Sequence, residues 1–349
     1  MSVTIRDVAE AAGVSIATAS RVINNDLSHR VTPATANKVL NAIVALNYIP
    51  NENARNLRCL KKSDMPPLNI GVLLTSAVDS YNDNFFYDIL LGIQSEAALC
   101  GLSVSFTYSL NTIAQKSLEN YLRLNKIDGI ILLGRMNADI LYIVQRSVKH
   151  IVYAGINPVN QAFDEVFCDG LACAKSAVKH LASCGYKKIG FVGTAASSGS
   201  STLINEYRYD GYLSCMEDLH LPILRDYIID TPLNLDMAYK NTSVRLDKGP
   251  VAEAYFCAND MCAIGVMKAL RDHKLKVPQD VAVIGIDDID TATYVRPALT
   301  TIQIPRHELG SYSIKVLCDQ IVGKRKYPIR VELPYKLIVR ASCKSPLNR

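Results

Sequence analysis

The chain has no tryptophan, and phenylalanine and tyrosine together make up only 7% of its 349 residues. Its core must therefore be built mainly from aliphatic side chains, which supply most of the 49% apolar content. No apolar run reaches the roughly 18 residues that a membrane-spanning helix needs, so no membrane partner is expected. The N-terminus lacks the basic, apolar and small-residue pattern of a signal peptide, and the expected location is the cytoplasm. Ten cysteines are scattered without a Cys-x-x-Cys pair and without histidines at metal-ligand spacing. This argues against a zinc site or a disulfide framework and for reduced, buried thiols. Enzyme signatures are missing too: no G-x-G-x-x-G follows the first strand, and neither a P-loop nor a G-x-S-x-G occurs. The small polar stretch GTAASSGSS at 193–201 lacks the Lys-Ser/Thr ending of a phosphate loop and reads as a rim loop. No enzyme activity, cofactor or metal is expected.

Charge is sparse overall and uneven in place. The net charge is +5, and residues 1–62 carry eight Lys/Arg against four Asp/Glu. The other 287 residues are close to neutral, so the basic footprint belongs to the N-terminal segment, as expected for a phosphate-contacting head. In that segment Thr4 can cap a first helix, whose stripe is Ile5, Val8, Ala9 and Ala12. Gly13 ends it, because glycine takes the left-handed conformation without a Cβ clash. Val14 can fill the angle, and Ser15 caps a second helix with Ala19, Val22 and Ile23 facing inward. Ile16, Ala17, Ser20 and Arg21 are left outside, a face that suits base edges. A plain pair of helices is the alternative reading.

A third helix is predicted from Thr32 to Leu46, with Pro33 at its first position. The polar, basic stretch 48–67 reads either as a bare linker or as one to two helical turns through Asn51, Ala54, Arg55, Leu57 and Arg58, which need a partner surface to persist. From Leu68 onward short apolar strands alternate with amphipathic helices. Strands are predicted at Leu68–Thr75, Leu102–Tyr108, Ile127–Leu133, His150–Ala154, Lys188–Gly193, Tyr227–Asp230, Ala254–Ala258 and Val281–Ile286. Helices are predicted at Tyr87–Leu99, Gly170–Cys184, Leu203–Leu219 and Asp260–His273. Leu299–Pro305, a helix His307–Val322 and Ile329–Val339 are read as closing the second lobe. The fold class is α/β: an all-α helix-turn-helix head and hinge, then a two-lobed core of doubly wound parallel sheets. The expected domains are 1–48, 49–67 and 68–349. In such folds ligands sit at the carboxyl ends of strands and between lobes.

Four motifs in order resemble one family. They are DVAEAAGVSIATASRVIN at 7–24, YIPNENARNL at 48–57, HLASCGYKKIGFVG at 180–193 and VIGIDDIDTATYVRPALTTIQIP at 283–305. The chain is similar along nearly its whole length to LacI/GalR-type bacterial transcriptional regulators. The late segment is also similar to the branch that responds to β-galactosides. The resemblance implies a periplasmic-binding-protein-like core, a homodimer on a near-palindromic duplex operator, and a small effector in the interlobe cleft that sets DNA affinity. It puts Ser15, Ile16, Ala17, Ser20 and Arg21 on the recognition helix, with Ile16 and Ala17 choosing sequence. It makes Thr4, Asn24 and Thr35 phosphate positions, although Ala36 stands where many members have a basic residue. It places Asn51, Ala54 and Leu57 on a hinge helix, with Leu57 wedged into the minor groove.

The same resemblance implies effector contacts. Arg208, in RYDGY, matches an arginine that holds sugar hydroxyls, and Asp287 matches the first aspartate of a G-x-D-D strand end. Asn259 ends a strand in CAND, Asp169 matches a pocket-side aspartate, and Phe85 and Phe86 stand in DNFF where the family often has NPFF. An arginine fork, a carboxylate and an amide favour a polyol, so a sugar is expected. A purine corepressor, or a free sugar-binding protein, are the alternatives. The tail after Val339 has no leucine heptads, so the expected assembly is a dimer.

Overall fold

The computed structural model describes residues 5–23, 35, 38–39, 42, 46, 68–74, 84–109, 115–124, 127–134, 138–195, 206–249, 251–323 and 325–344. They fall into two compact units, one of Met1–Met65 with Leu99–Gly101 and one of Pro66–Ala98 with Leu102–Arg349.

In the first unit, α1 (Ile5–Ala12) and α2 (Ile16–Ile23) form as their apolar spacing predicts. Gly13 takes φ +63°. Its N–H donates to the Glu10 carbonyl at 3.1 Å, and the Val14 N–H reaches back to Ala9 at 3.0 Å. This pair of bonds satisfies carbonyls that the end of α1 would otherwise leave open. The Ser15 hydroxyl then accepts from the Thr18 N–H at 3.1 Å and caps α2. Thr35, Lys38, Val39 and Ala42 are helical. Val8, Ala9, Ala12, Ala19, Val39 and Ala42 make one small core, with Val14, Val22 and Leu46 packed against it.

The second unit holds two six-stranded sheets. The first has β1 (Asn69–Leu74), β2 (Ser103–Ser109), β3 (Gly129–Leu133), β4 (His150–Ile156), β5 (Asp164–Cys168) and β11 (Arg330–Glu332), in the order β11-β5-β4-β3-β1-β2. The second has β6 (Ile189–Gly193), β7 (Ile228–Asp230), β8 (Ala254–Cys257), β9 (Ala282–Asp287), β10 (Thr300–Gln303) and β12 (Lys336–Ile338), in the order β12-β10-β9-β8-β6-β7. Every pairing is parallel except β10 with β12. Strands such as GIILL in β3 and AVIGID in β9 are buried throughout, because helices cover both faces. Those helices are α3 (Asn84–Leu99), α4 (Gln115–Leu124), α5 (Ala138–Ser147), α6 (Gly170–Ser183), α7 (Arg208–Asp218), α8 (Leu235–Leu246), α9 (Asp260–Asp272), the short α10 (Thr291–Tyr294) and α11 (Arg306–Gly323).

Three expectations need correction. Helix α3 starts at Asn84, so Phe85 and Phe86 lie in its first turn and do not precede it. The stretch Ile329–Val339 is not one strand of the second lobe. It splits, and β11 pairs with β5 in the first sheet while β12 pairs with β10 in the second. Nor does the last long helix close the second lobe, since α11 packs on β4 and β5. Gly92 of α3 faces the His307 carbonyl and Gly310 of α11 faces the Ile89 carbonyl, each so closely that a Cβ would collide with backbone. Two glycines thus let α3 and α11 cross at backbone contact. The chain passes between the lobes three times, at Asp169, at 304–305 and at 333–335. No described helix is long and apolar enough to cross a membrane.

Candidate functional site

In the head, Ser15 is the cap of α2, and Ile16 at its first turn is 45% exposed. An exposed isoleucine beside a hydroxyl-rich turn is costly in water and well suited to a thymine methyl. Ala17, Ser20 and Arg21 lie on α2, and Thr35 is half-buried in the third helical segment. Thr4, Asn24, Asn51, Ala54 and Leu57 lie outside the described residues.

In the core, the order β7-β6-β8-β9-β10 reverses direction between β6 and β8, and crevices open at the carboxyl ends of strands at such a point. Arg208, the first residue of α7, is only 6% exposed and aims at that edge. Its Nη1 donates to the Ala258 carbonyl just beyond β8, at 2.9 Å. Its Nε donates to Glu206 Oε1 at 2.7 Å, and Nη2 donates to Glu206 Oε2. These bonds take three of the guanidinium's five hydrogens, leaving one on each of Nη1 and Nη2 for a further acceptor. Burial by itself lowers the Arg208 pKa, but Glu206 and then Asp287 raise it above the ordinary arginine value. The cation is therefore held by carboxylates.

Glu206 was not among the expected site residues. It stands two positions before Arg208 in a non-helical stretch, a spacing that the helix periodicity expected over Leu203–Leu219 does not flag. Asp287 ends β9, 5% exposed, with φ +122°, and Asp288 follows at φ +55°. Two successive non-glycine residues in this region mark strained backbone, which collects at ligand clamps. Asp288 is occupied elsewhere, with Arg340 Nη2 at 2.6 Å and Gln303 Nε2 at 2.9 Å.

Asn259 and Asp169 have structural duties as caps. Asn259 Oδ1 accepts from the Cys262 N–H at 2.9 Å at the start of α9, and Asp169 Oδ1 accepts from the Ala172 N–H at 2.9 Å at the start of α6. Asp169 still belongs to the neighbourhood of Asp287. The Cys173 thiol is pushed far above its ordinary value, first by burial, next by Cys168, and also by both of these carboxylates.

Across from this cluster, Phe85 and Phe86 are buried in the first turn of α3, 8% exposed each. Their rings meet edge-to-face with centroids 5.2 Å apart. Asp88 on the same helix accepts from Arg306 Nη2 at 2.6 Å, and Arg306 Nη1 donates to the Asp287 carbonyl at 3.2 Å. One arginine thus ties α3 of the first lobe to the end of β9 in the second. The structure brings together Arg208, Asp287, Asn259 and Asp169, whereas the two phenylalanines stand on α3 of the other lobe. Among the described residues, no group of three His, Cys, Asp or Glu could hold a metal ion, and the nine described cysteines form no disulfide.

Residues 4–51 match the family described as bacterial regulatory proteins, lacI family, and residues 178–343 match a periplasmic binding protein-like domain. The HTH-type transcriptional repressor MelR of Bacillus subtilis (strain 168) is 30% identical over 347 residues, covering 98% of this chain and 97% of that relative. The chain belongs to the lacI family. The HTH-type transcriptional repressor PurR of Haemophilus influenzae (strain ATCC 51907 / DSM 11121 / KW20 / Rd) is 30% identical over 354 residues, covering 99% of both chains. A solved complex of the transcriptional regulator CelR with cellobiose superposes with a TM-score of 0.72, at 25% identity, covering 97% of this chain and 99% of that one. This lacI-family protein is a DNA-binding transcriptional repressor, and its family is one of regulators, not enzymes. Family members pair a DNA-binding head with a core that takes small-molecule effectors, and the helix-turn-helix and two-lobed core described above are those two parts.

Proposed function

We propose that this repressor binds a near-palindromic duplex operator as a homodimer and that a small sugar at the carboxyl ends of β6, β8 and β9 sets its DNA affinity, in control of sugar-utilisation genes. A repressor works where the chromosome lies, so its place is the cytoplasm. The observation that carries the effector reading is the buried Glu206–Arg208 pair beside Asp287. A held guanidinium with hydrogens to spare, next to a carboxylate acceptor, matches adjacent hydroxyls that both give and take hydrogen bonds. CelR, solved with cellobiose, supports a sugar. MelR and PurR are equally similar at 30% identity, so the sugar reading rests on the polar cluster and not on overall likeness.

The test is a thermal-shift screen of neutral sugars and of purines on the whole chain, followed by calorimetry. A true effector at about 100 times its Kd adds roughly 2.7 kcal/mol of stability. Arg208→Ala is a poor control, because it strands Glu206 as a buried charge. Arg208→Lys keeps a cation beside Glu206 and removes the planar fork. We expect Arg208→Lys to weaken sugar binding at least tenfold, about 1.4 kcal/mol, while operator binding without effector stays near the parent's. Unchanged sugar affinity in Arg208→Lys would place the site elsewhere. A purine that outcompetes every sugar would replace the sugar reading.

A further inference from the structure

We propose that Glu206 makes the effector site select uncharged ligands, so that sugar phosphates and sugar acids are rejected in favour of neutral sugars or glycosides. This rests on the reading of the Arg208–Asp287 cluster as the effector site and narrows its ligand class.

A buried arginine at the mouth of a cleft is ordinarily a receptor for an anion, because its fork matches phosphate and carboxylate. Here the Nε–Nη2 edge of the fork is already filled. The Nε and Nη2 edge of Arg208 faces both oxygens of Glu206, a residue of the same chain that is itself 9% exposed. A third donor is bound by the Ala258 carbonyl. The resident carboxylate cancels the charge that an anionic ligand would seek.

The rest of the neighbourhood pushes the same way. Among the described residues, the charged groups at the cluster are Arg208 at the start of α7, Glu206 before it, Asp287 at the end of β9 and Asp169 at the crossing into α6. Arg306 at the start of α11 is paired with Asp88 of α3. Among these described groups two cations stand against four carboxylates, with Asp260 lying deeper under the same strand ends. Among the described residues, an entering anion finds these carboxylates and no uncompensated cation. Repulsion of this sort discriminates between ligands of equal shape. At an effective dielectric of about 20, one like charge at about 5 Å disfavours the anion on the order of 100-fold. Hydroxyl groups meet no such penalty, since they can donate to Asp287 and accept from the remaining Arg208 hydrogens.

The experiment is calorimetric titration of the whole chain at fixed ionic strength with inorganic phosphate and with galacturonate, compared with Glu206→Gln. Glutamine keeps the length of the side chain and an oxygen that can accept from Nε. The parent should show no saturable heat with either anion at millimolar concentration. Glu206→Gln should acquire saturable anion binding, tighter by about 100-fold than any trace in the parent, and Glu206→Gln with Arg208→Lys should lose most of it. Saturable binding of phosphate or galacturonate to the parent, weakened by Arg208→Lys, would overturn the proposal while leaving the site in place. A folded Glu206→Gln that gains no anion affinity would overturn it too. The parent titration needs no variant, so the test survives if Glu206→Gln folds poorly. If instead neutral-sugar binding ignores Arg208→Lys, the effector-site reading fails separately.

Discussion

Asp260 opens α9 with no exposure at all. Its oxygens accept from the Thr301 hydroxyl at 2.6 Å and from the Ile289 N–H at 3.0 Å, and among the described residues no cation touches it. Burial, aided by Asp288, pushes its pKa up to about 7, against the lowering effect of those two bonds and of Arg306. A carboxyl whose pKa is raised on folding adds stability that is complete below its unfolded value and is lost as pH rises through the folded value. The relevant window is therefore about pH 4 to 7. Asparagine can accept from Ile289 and donate to Thr301, so Asp260→Asn preserves the bonding and removes the titration. Between about pH 5 and pH 8 the parent should lose roughly 2–3 kcal/mol relative to Asp260→Asn, read from urea midpoints. A pH-independent difference would mean that Asp260 stays ionised in the folded protein. Legibility at this scale was mixed. Ser15 and Gly13 declared themselves, because caps and left-handed turns are local chemistry. Glu206 did not, because its partnership with Arg208 depends on how the backbone enters α7.

Strand β5 shows why one element escaped the hydrophobic pattern. Its sequence, DEVFC, begins with two acids, yet all five residues are buried. Asp164 is held by Arg325, with Nη1 to Oδ1 at 2.9 Å and Nη2 to Oδ2 at 2.8 Å, and by the Ile329 N–H at 2.7 Å. Glu165 faces Arg330 of β11, its register partner, at 3.6 Å. Both cations lie about 160 residues along the chain, beyond the reach of any sequence window. They also explain why β11 returns to the first sheet when β12 does not. Asp164→Ala should remove the anchor of β11 and cost about 2–4 kcal/mol, because Arg325 is left part-buried with only the exposed Asp319 to pair with. Native-state hydrogen exchange should show Arg330–Glu332 amides opening well before those of β4. Equal protection of the two strands in the variant would show that the ion pair does not anchor β11.

At the scale of the molecule, the basic head and near-neutral core divide the labour between DNA and effector. Operator affinity should fall steeply with salt, by roughly −0.9 in the log–log slope for each phosphate contact. A fragment lacking residues 1–65 should keep the two-sheet core, bind the same effector and lose the operator. Among the described residues the core sheets draw on no strand from that segment, so their pairing stands without it. Tight operator binding by that fragment would contradict the assignment of reading to the head.

Helix-turn-helix spacing, strand–helix alternation and the basic segment were readable because each depends on neighbours within a few turns of chain. The pattern placed the buried runs of β1, β3, β6, β8 and β9 and the Gly13 and Ser15 caps of the head from local chemistry alone. What it could not place was whatever depends on distant partners. Those were the acidic strand β5, the divided allegiance of β11 and β12, and α11 crossing α3 at Gly92 and Gly310. The carboxylate that fills the fork of Arg208 belongs with them. Each follows from burying charge or backbone against a segment remote in sequence, a choice that only the packed structure makes.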